Sequence, residues 1–294
     1  MKRMWSPVLA AVVLAAGRSS SQSPVATTNF LDEPFGTALF TTTERAGYED
    51  AGAAIPGPEV RMREIDAAVL LPVWSSGADI LLAGAAAKWN RFEFTDPALD
   101  DEDLHGLSVP LGWARQGDGP WSGWASIAPG LFGDFRGGRD DFKVQGSLLA
   151  SCQWSPRLSL SLGAAYDSAF GQDRLYPLGG LAWRGGESWL LNLVFPSVSA
   201  WWRPSAGWAA YADLRPAGDT WKVRGDTDDD RLEFTLETWR AGAGIEVRVW
   251  NALWAHLGAG LDLARHYEFT RGSTAVLDAD VDDGWFLRAG VVLR

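Results

Sequence analysis

A period-two alternation of apolar and polar residues runs through most of this chain and limits what it can fold into. In the segment 253–269 the odd positions are mainly apolar, and the even positions are mainly small or polar. The segments 142–154, 158–170 and 239–249 repeat this pattern. A helix would repeat its apolar positions every three or four residues, and no such period fits these segments. We therefore predict an all-β chain whose strands have one apolar face and one polar face.

Strand length and the character of the polar face favour a membrane barrel over a soluble sandwich or a lipocalin-like barrel, which alternate in the same way. Several predicted strands have ten or more residues, whereas strands in globular proteins usually have about five or six and tilted membrane strands about 9–11. The polar face carries glycine, serine and charged residues well inside the strands, as expected of a lumen lining. The 47% of apolar residues are too many for a disordered chain, and the net charge of −11 argues against nucleic-acid binding.

An unusual number of tryptophans, 17 against 13 phenylalanines and 5 tyrosines, gathers beside the short connections between predicted strands. Tryptophan favours the membrane interface, where its ring contacts acyl chains and its N–H reaches polar headgroups. We interpret ten of them as an aromatic girdle at one end of a barrel, the alternative being aromatic residues that cap a soluble core. These residues are Trp74, Trp113, Trp121, Trp154, Trp183, Trp189, Trp202, Trp208, Trp250 and Trp254.

The connections at the opposite end are longer and rich in acidic residues, at 96–103, 133–141, 225–230 and 272–283. Short turns at one end and long loops at the other are typical of outer-membrane barrels. Counting strands backwards from a periplasmic C-terminus gives fourteen, in an antiparallel up-and-down order with both termini periplasmic. Twelve remain if the short hairpin around Pro196 does not span the membrane, and the even number is preserved.

The N-terminus has the pattern of an export signal. Lys2 and Arg3 precede an apolar stretch at 8–16, and a run rich in Ser, Gln and Pro follows. This arrangement predicts a secretory signal peptide over residues 1–26 and a barrel over residues 27–294, the alternative being a short N-terminal helix. The single cysteine of the chain, Cys152, rules out a disulfide framework and a zinc site built from cysteines. The mature protein is expected in the cell outer membrane.

The last strand, 285–293, alternates to its end and resembles the C-terminal recognition strand of outer-membrane barrels. Leu293 and Arg294 stand where a closing aromatic residue is usual. Together with the 175–183 stretch and the break at Pro196, this makes the mature chain resemble an uncharacterised family of Gram-negative outer-membrane β-barrel proteins, a domain of unknown function. The resemblance implies a location and a fold, with outer-membrane lipid, lipopolysaccharide and the barrel-assembly machinery as partners. It implies no catalytic activity and no cofactor.

Charged residues on the polar face are the candidate functional residues. Opposed charges across a lumen create a constriction that selects solutes, whereas charges that pair across neighbouring strands merely fill the interior. Inward glycines at 242, 244, 258 and 260 leave room and favour an open path. We therefore predict a passive channel for small or hydrophobic solutes, the alternative being a non-conducting barrel that is structural or binds partners through its acidic loops. The lining candidates are Lys143, Asp167, Arg240, Glu246, Arg248, Asp262 and Arg288.

Two weaker patterns concern enzymatic chemistry and metal binding. His256 and His266 share one face of a strand about 33 Å apart, too far to bind one metal. No Ser/His pattern supports a membrane lipase or deacylase, so we predict no enzyme. Asp278, Asp280 and Asp282 resemble the start of a calcium loop, but its sixth and twelfth positions lack the required Gly and Glu. A solvated acidic loop is predicted there, with a weak divalent-cation site as the alternative.

Overall fold

The computed structural model describes residues 34–49, 55, 57–116, 119–135, 141–224, 231–272 and 274–294. The predicted signal peptide, residues 1–26, lies outside this part of the chain. No helix long and apolar enough to cross a membrane occurs among the described residues. Their regular structure consists of the segments β1 (Gly36–Thr43), β2 (Ala46–Gly47), β3 (Glu59–Ser76), β4 (Asp79–Phe94), β5 (Glu102–Ser108), β6 (Leu111–Gln116), β7 (Trp121–Gly133), β8 (Asp141–Ser155), β9 (Leu158–Asp167), β10 (Arg174–Gly185), β11 (Trp189–Phe195), β12 (Ser197–Ser205), β13 (Trp208–Pro216), β14 (Asp219–Arg224), β15 (Arg231–Trp250), β16 (Leu253–Arg271), β17 (Thr274–Val281) and β18 (Gly284–Leu293).

The segments form one closed antiparallel barrel. In four pairs of consecutive segments, β1 with β2, β5 with β6, β13 with β14 and β17 with β18, both members pair with the same neighbour, so the eighteen segments make fourteen strands. The sheet closes where β1 pairs with β18, from Gly36 opposite Leu293 to Thr43 opposite Phe286. The predicted all-β class, the up-and-down order and the count of fourteen are confirmed. The hairpin around Pro196 supplies two of these strands.

Proline explains the gap between β5 and β6. Val109 N donates to Pro129 O at 2.9 Å, and Gly84 N donates to Pro110 O at 2.9 Å, so the register continues across the gap. A proline has no backbone N–H, and each of these two prolines therefore removes one hydrogen bond from the ladder.

The outer face of the barrel is apolar and the inner face carries most of the buried polar groups. On β8, Phe142, Val144 and Leu148 are exposed, whereas Lys143 and Leu149 are buried. This arrangement is the reverse of a soluble protein and suits a barrel whose surroundings are acyl chains. The two ends also differ: the end that holds residue 34 and the C-terminal Arg294 has short turns, such as 77–78 and 251–252, and is called the turn end below. The opposite end is called the loop end.

The outer and inner faces of β16 exchange at Ala264, which was not predicted. Ala264 has a left-handed φ of 49°, and the register with β15 shifts at this level. Beyond this bulge Tyr267 and Phe269 are buried and His266 faces outward. The prediction that Tyr267 and Phe269 share the outer face, and that His266 shares the inner face with His256, is therefore wrong. A bulge adds one residue to one strand, which reverses the alternation after it.

The prediction of an acidic loop at 272–283 is also wrong in part. Residues Thr274–Val281 form β17 and continue the hairpin with β16. Leu277, Ala279 and Val281 are buried, and the aspartates between them are exposed on the outer face. Of the other predicted loops, residues 136–140 and 225–230 lie outside the described residues.

The barrel is much taller on one side than on the other. β15, β16 and β3 have 20, 19 and 18 residues, whereas β11 has seven and β12 has nine. Above the short side, β14 approaches β7 through a parallel bridge between Lys222 and Gly133. The tall strands thereby enclose an aromatic cluster with ring centroids 4.3–6.3 Å apart. This loop-end aromatic cluster consists of Phe92, Trp221, Phe234, Tyr267 and Phe269.

Candidate functional site

Aromatic side chains fill the space beside the inward glycines. A Cβ atom on Gly242 would lie 3.0 Å from the Phe286 ring, and one on Gly244 would lie 2.7 Å from the Tyr211 hydroxyl. Gly258 and Gly260 also face these two side chains. The glycines therefore make room for rings, and the inference that they leave an open path is wrong.

Arg240 lies at the centre of a charged group that crosses the barrel interior. Its Nε and Nη2 donate to Asp262 Oδ1 and Oδ2 at 2.7 and 3.1 Å, and its Nη1 donates to Glu64 Oε1 at 3.1 Å. Arg240 and Asp262 are opposite each other on β15 and β16, but Glu64 is on β3, and β16, β18 and β1 lie between. All three side chains are buried. We call Glu64, Arg240 and Asp262 the transverse ion group.

Two further arginines lie in the same part of the interior. Arg288 donates from Nε to Thr41 Oγ1 at 3.1 Å and stacks over Phe286, with Cζ 5.3 Å from the ring centre. Arg215 Nε lies 3.5 Å from Asp213 Oδ2. Arg215 and Glu64 were missed as candidates, although both lie on the inward phase of their strands and the alternation alone would have found them.

A second group of buried polar side chains lies near the turn end. Tyr211 Oη is 2.9 Å from His256 Nε2, and His256 Nδ1 is 3.1 Å from Glu246 Oε1. Arg294 donates to Glu246 Oε2 from Nε at 3.0 Å and from Nη2 at 2.6 Å. A hydroxyl, an imidazole and a carboxylate in this order also occur in catalytic relays. Here the Tyr211 hydroxyl is packed against Gly244. The Glu246 carboxylate at the other end of the group holds the C-terminal Arg294 through two hydrogen bonds.

Three other predicted lining residues have different surroundings. Lys143 is buried and donates from Nζ to Thr220 O at 2.7 Å. Asp167 is buried at the end of β9 and accepts hydrogen bonds from the Tyr176 hydroxyl at 2.7 Å and from Ala169 N at 2.8 Å. Arg248 is exposed at the turn end, so it belongs to the mouth of the barrel and the prediction that it lines the lumen interior is wrong.

The predicted girdle needs one correction. Trp74, Trp121, Trp154, Trp183, Trp189, Trp202 and Trp250 are exposed near the turn end, and Trp113 and Trp208 are half-buried. Trp254 is only 4% exposed and packs inside the barrel with Leu39, Ala209 and Val292. It lies on the inward phase of β16, so proximity to a turn was a misleading criterion for this residue.

An internal cavity of about 90 Å³ lies beside the wall made by β3, β4, β5, β6 and β7. Its polar lining includes Asp66, Lys88 and Asp219, and its apolar lining includes Leu70 and Trp124. Lys88 Nζ donates to Asp219 Oδ2 at 2.9 Å. The cavity was not predicted, because it depends on which inward side chains meet across the barrel.

The acidic residues of β17 do not assemble a metal site. Asp278 and Asp280 flank His266, with His266 Nδ1 3.0 Å from Asp280 Oδ1 and Nε2 3.4 Å from Asp278 Oδ1. No group of three or more His, Cys, Asp or Glu side chains in the described part of the chain is placed to hold a metal ion. The weak candidate of Asp278, Asp280 and Asp282 is therefore not supported by the geometry.

A closed barrel with an apolar outer face, tryptophans near its turn end and charged groups buried in its interior is a membrane-spanning β-barrel. The chain belongs to the family described as "Domain of unknown function (DUF6268)", whose model matches residues 77–281. A comparison with curated proteins gives no match.

Several solved structures match most of the chain at low sequence identity. The TodX monoaromatic hydrocarbon channel ΔS2 mutant matches with a TM-score of 0.48 and 11% identity, covering 99% of this chain and 100% of that one. The COG4313 outer membrane channel from Pseudomonas putida F1 matches with a TM-score of 0.46 and 10% identity, covering 92% and 100%. The translocator domain of autotransporter NalP from Neisseria meningitidis matches with a TM-score of 0.40 and 12% identity, covering 90% of each chain.

Proposed function

We propose that the protein is an outer-membrane channel for passive passage of small solutes and that the arrangement described above is its closed form. The transverse ion group is the observation that carries this proposal. Arg240 joins β15 and β16 to β3 through the interior, at the level of the outward-facing Trp285. Charged side chains that face each other across a pore form a constriction that selects solutes by charge.

The energetic cost of these charges supports a functional role. Ions removed from water lose several kcal/mol each, and apolar side chains of similar volume often replace a buried ion pair at no loss of stability. A barrel with only a structural role needs no arginine at this position. About eight strands give an interior that side chains fill and 16–18 leave an aqueous channel, so the fourteen strands of this barrel lie between these two cases.

We attribute the closed form to long interior side chains, which can change rotamer while the β-sheet stays intact. Arg240 and Arg288 reach the interior on several rotatable bonds and Tyr211 on two, and the glycines opposite Tyr211 and Phe286 have no side chain of their own. A change of rotamers at these positions would connect the turn-end mouth, near Arg248, to the internal cavity.

Conductance in planar bilayers tests the proposal. Folded protein, identified by its different gel mobility with and without boiling, is expected to give discrete current steps that boiled protein does not give. Arg240→Ser should raise the unit conductance because it shortens the side chain that crosses the interior, whereas Arg248→Ser at the exposed mouth should change it little. Absence of current from both the folded wild type and folded Arg240→Ser would reject a channel.

A non-conducting barrel that binds partners at its loop end is the second candidate. The loop-end aromatic cluster favours it, because its five rings are at most 6% exposed and pack together inside the barrel on that side. Under either function we propose assembly by the barrel-assembly machinery and contact with lipopolysaccharide, whose phosphates divalent cations would bridge to exposed carboxylates such as Asp278 and Asp280. Barrel stability that is insensitive to a chelator would argue against this bridging.

A further inference from the structure

The internal cavity has a lining of two distinct kinds. Leu70, Trp124 and Phe132 contribute apolar surface, and Asp66 contributes a carboxylate. Small residues on the inward phase of the wall, among them Ala86, keep this space free of side chains. Such a lining suits a ligand with one polar end and a hydrocarbon body.

The carboxylates of the cavity differ in how well they are satisfied. Asp219 accepts hydrogen bonds from Lys88 Nζ at 2.9 Å, from Ser168 Oγ at 2.7 Å and from Thr220 N at 2.9 Å. Asp66 lies opposite Lys88 in the register of β3 and β4. No donor in the described part of the chain makes a hydrogen bond to the Asp66 carboxylate, which lines the cavity. Asp66 is therefore the acceptor that is left for a ligand.

The charges of the lining determine which sign of ligand fits. Asp66 and Asp219 supply two negative charges and Lys88 supplies one positive charge, which Asp219 already holds in an ion pair. An anionic ligand would face Asp66, and the lysine of the lining already interacts with both Asp219 and Asp66. A cation with N–H donors would neutralise Asp66 and make charge-assisted hydrogen bonds to it.

We propose that the cavity binds a small organic ammonium ion, with its nitrogen on Asp66 and its hydrocarbon part against Leu70 and Trp124. The cavity volume of about 90 Å³ is smaller than the ~150 Å³ that accepts benzene, so a ligand of about four or five non-hydrogen atoms fits. This inference rests on the proposed function, since it makes the cavity a solute site along the path.

Calorimetric titration of the folded protein in detergent with n-propylammonium tests the site. n-Propanol has the same size without the charge, and propionate has the opposite charge. We expect propylammonium to bind and the other two to bind at least roughly tenfold more weakly, because only the cation neutralises the buried charge of Asp66 while it donates a hydrogen bond to it. Asp66→Asn should weaken propylammonium binding by a similar factor, and Asp280→Asn, whose side chain is 96% exposed on the outer face, should not.

A second variant protects the test against misfolding of Asp66→Asn. Ala86→Leu keeps the carboxylate and fills the cavity, and it should also abolish binding. Wild-type protein that binds propylammonium no better than propanol overturns the proposal, as does binding that persists in both Asp66→Asn and Ala86→Leu. Conductance separates this from the proposed function: a barrel that conducts but does not bind propylammonium has a path without this site, and one that binds but does not conduct has the site without a path.

Discussion

Replacing Arg240 by methionine removes the charge from the transverse ion group and keeps most of the side-chain volume. The guanidinium donates three hydrogen bonds, at 2.7 and 3.1 Å to Asp262 and at 3.1 Å to Glu64, and is 1% exposed. Without it, two buried carboxylates lose the guanidinium that donates hydrogen bonds to both of them. Removal of one member of a buried ion pair costs about 3–5 kcal/mol, so Arg240→Met should lower the free energy of unfolding by about this amount.

Urea unfolding of the protein in lipid vesicles, followed by tryptophan fluorescence, measures this loss. Arg248→Met, at the exposed turn-end mouth, is the control and should change stability by no more than about 0.5 kcal/mol. The triple variant Glu64→Gln, Arg240→Met, Asp262→Asn should recover at least half of the loss, because the cost comes from charge without a partner. A loss below about 1 kcal/mol in Arg240→Met, or a triple variant no more stable than the single one, would refute the reasoning.

Three further outcomes are expected. Gly258→Ala should cost about 1–3 kcal/mol in the same unfolding assay, because its Cβ would collide with the Tyr211 hydroxyl, and an unchanged stability would mean that the ring is not held there. Trp254→Ala should cost about 3–5 kcal/mol and Trp154→Ala clearly less, since their side chains are 4% and 73% exposed; equal costs would contradict the inward placement of Trp254. Arg248→Glu should shift the permeability ratio towards cations in bilayer recordings if solutes pass its mouth, and an unchanged ratio would remove this residue from the path.

The fold could be predicted from the sequence because the membrane environment imposes one simple rule. Every strand that crosses acyl chains must be apolar on its outer face, so alternation such as that of Phe142, Val144 and Leu148 identifies strands one at a time. Antiparallel hairpins then fix the order, and the even number of strands follows. The break at Pro196 was interpreted correctly because later turns would otherwise lie at the wrong end.

Local irregularities were invisible to the same reasoning. The bulge at Ala264 inserts one residue and exchanges the faces of Tyr267 and His266, although nothing in the residue types marks the position. Contacts between side chains on distant strands across the interior could not be predicted either. The hydrogen bond from Arg240 to Glu64 joins residues 176 positions apart, and no period along one strand reveals it.

Whether the interior is open or filled depends on the volume of the inward side chains, and the alternation alone cannot supply that volume. The lipid-facing rule constrains only the outer face, so the inner face is free to carry large rings as well as small polar groups. Trp124, Trp221 and Trp254 all occupy inward positions and are at most 4% exposed. Inward glycines such as Gly258 and Gly260 therefore have opposite effects that depend on the side chains facing them. Opposite short side chains they widen a lumen, whereas opposite Tyr211 and Phe286 they provide the space that the aromatic rings fill. The bulky residues on the inward phase must be counted together with the glycines before a sequence of this kind is interpreted as an open pore.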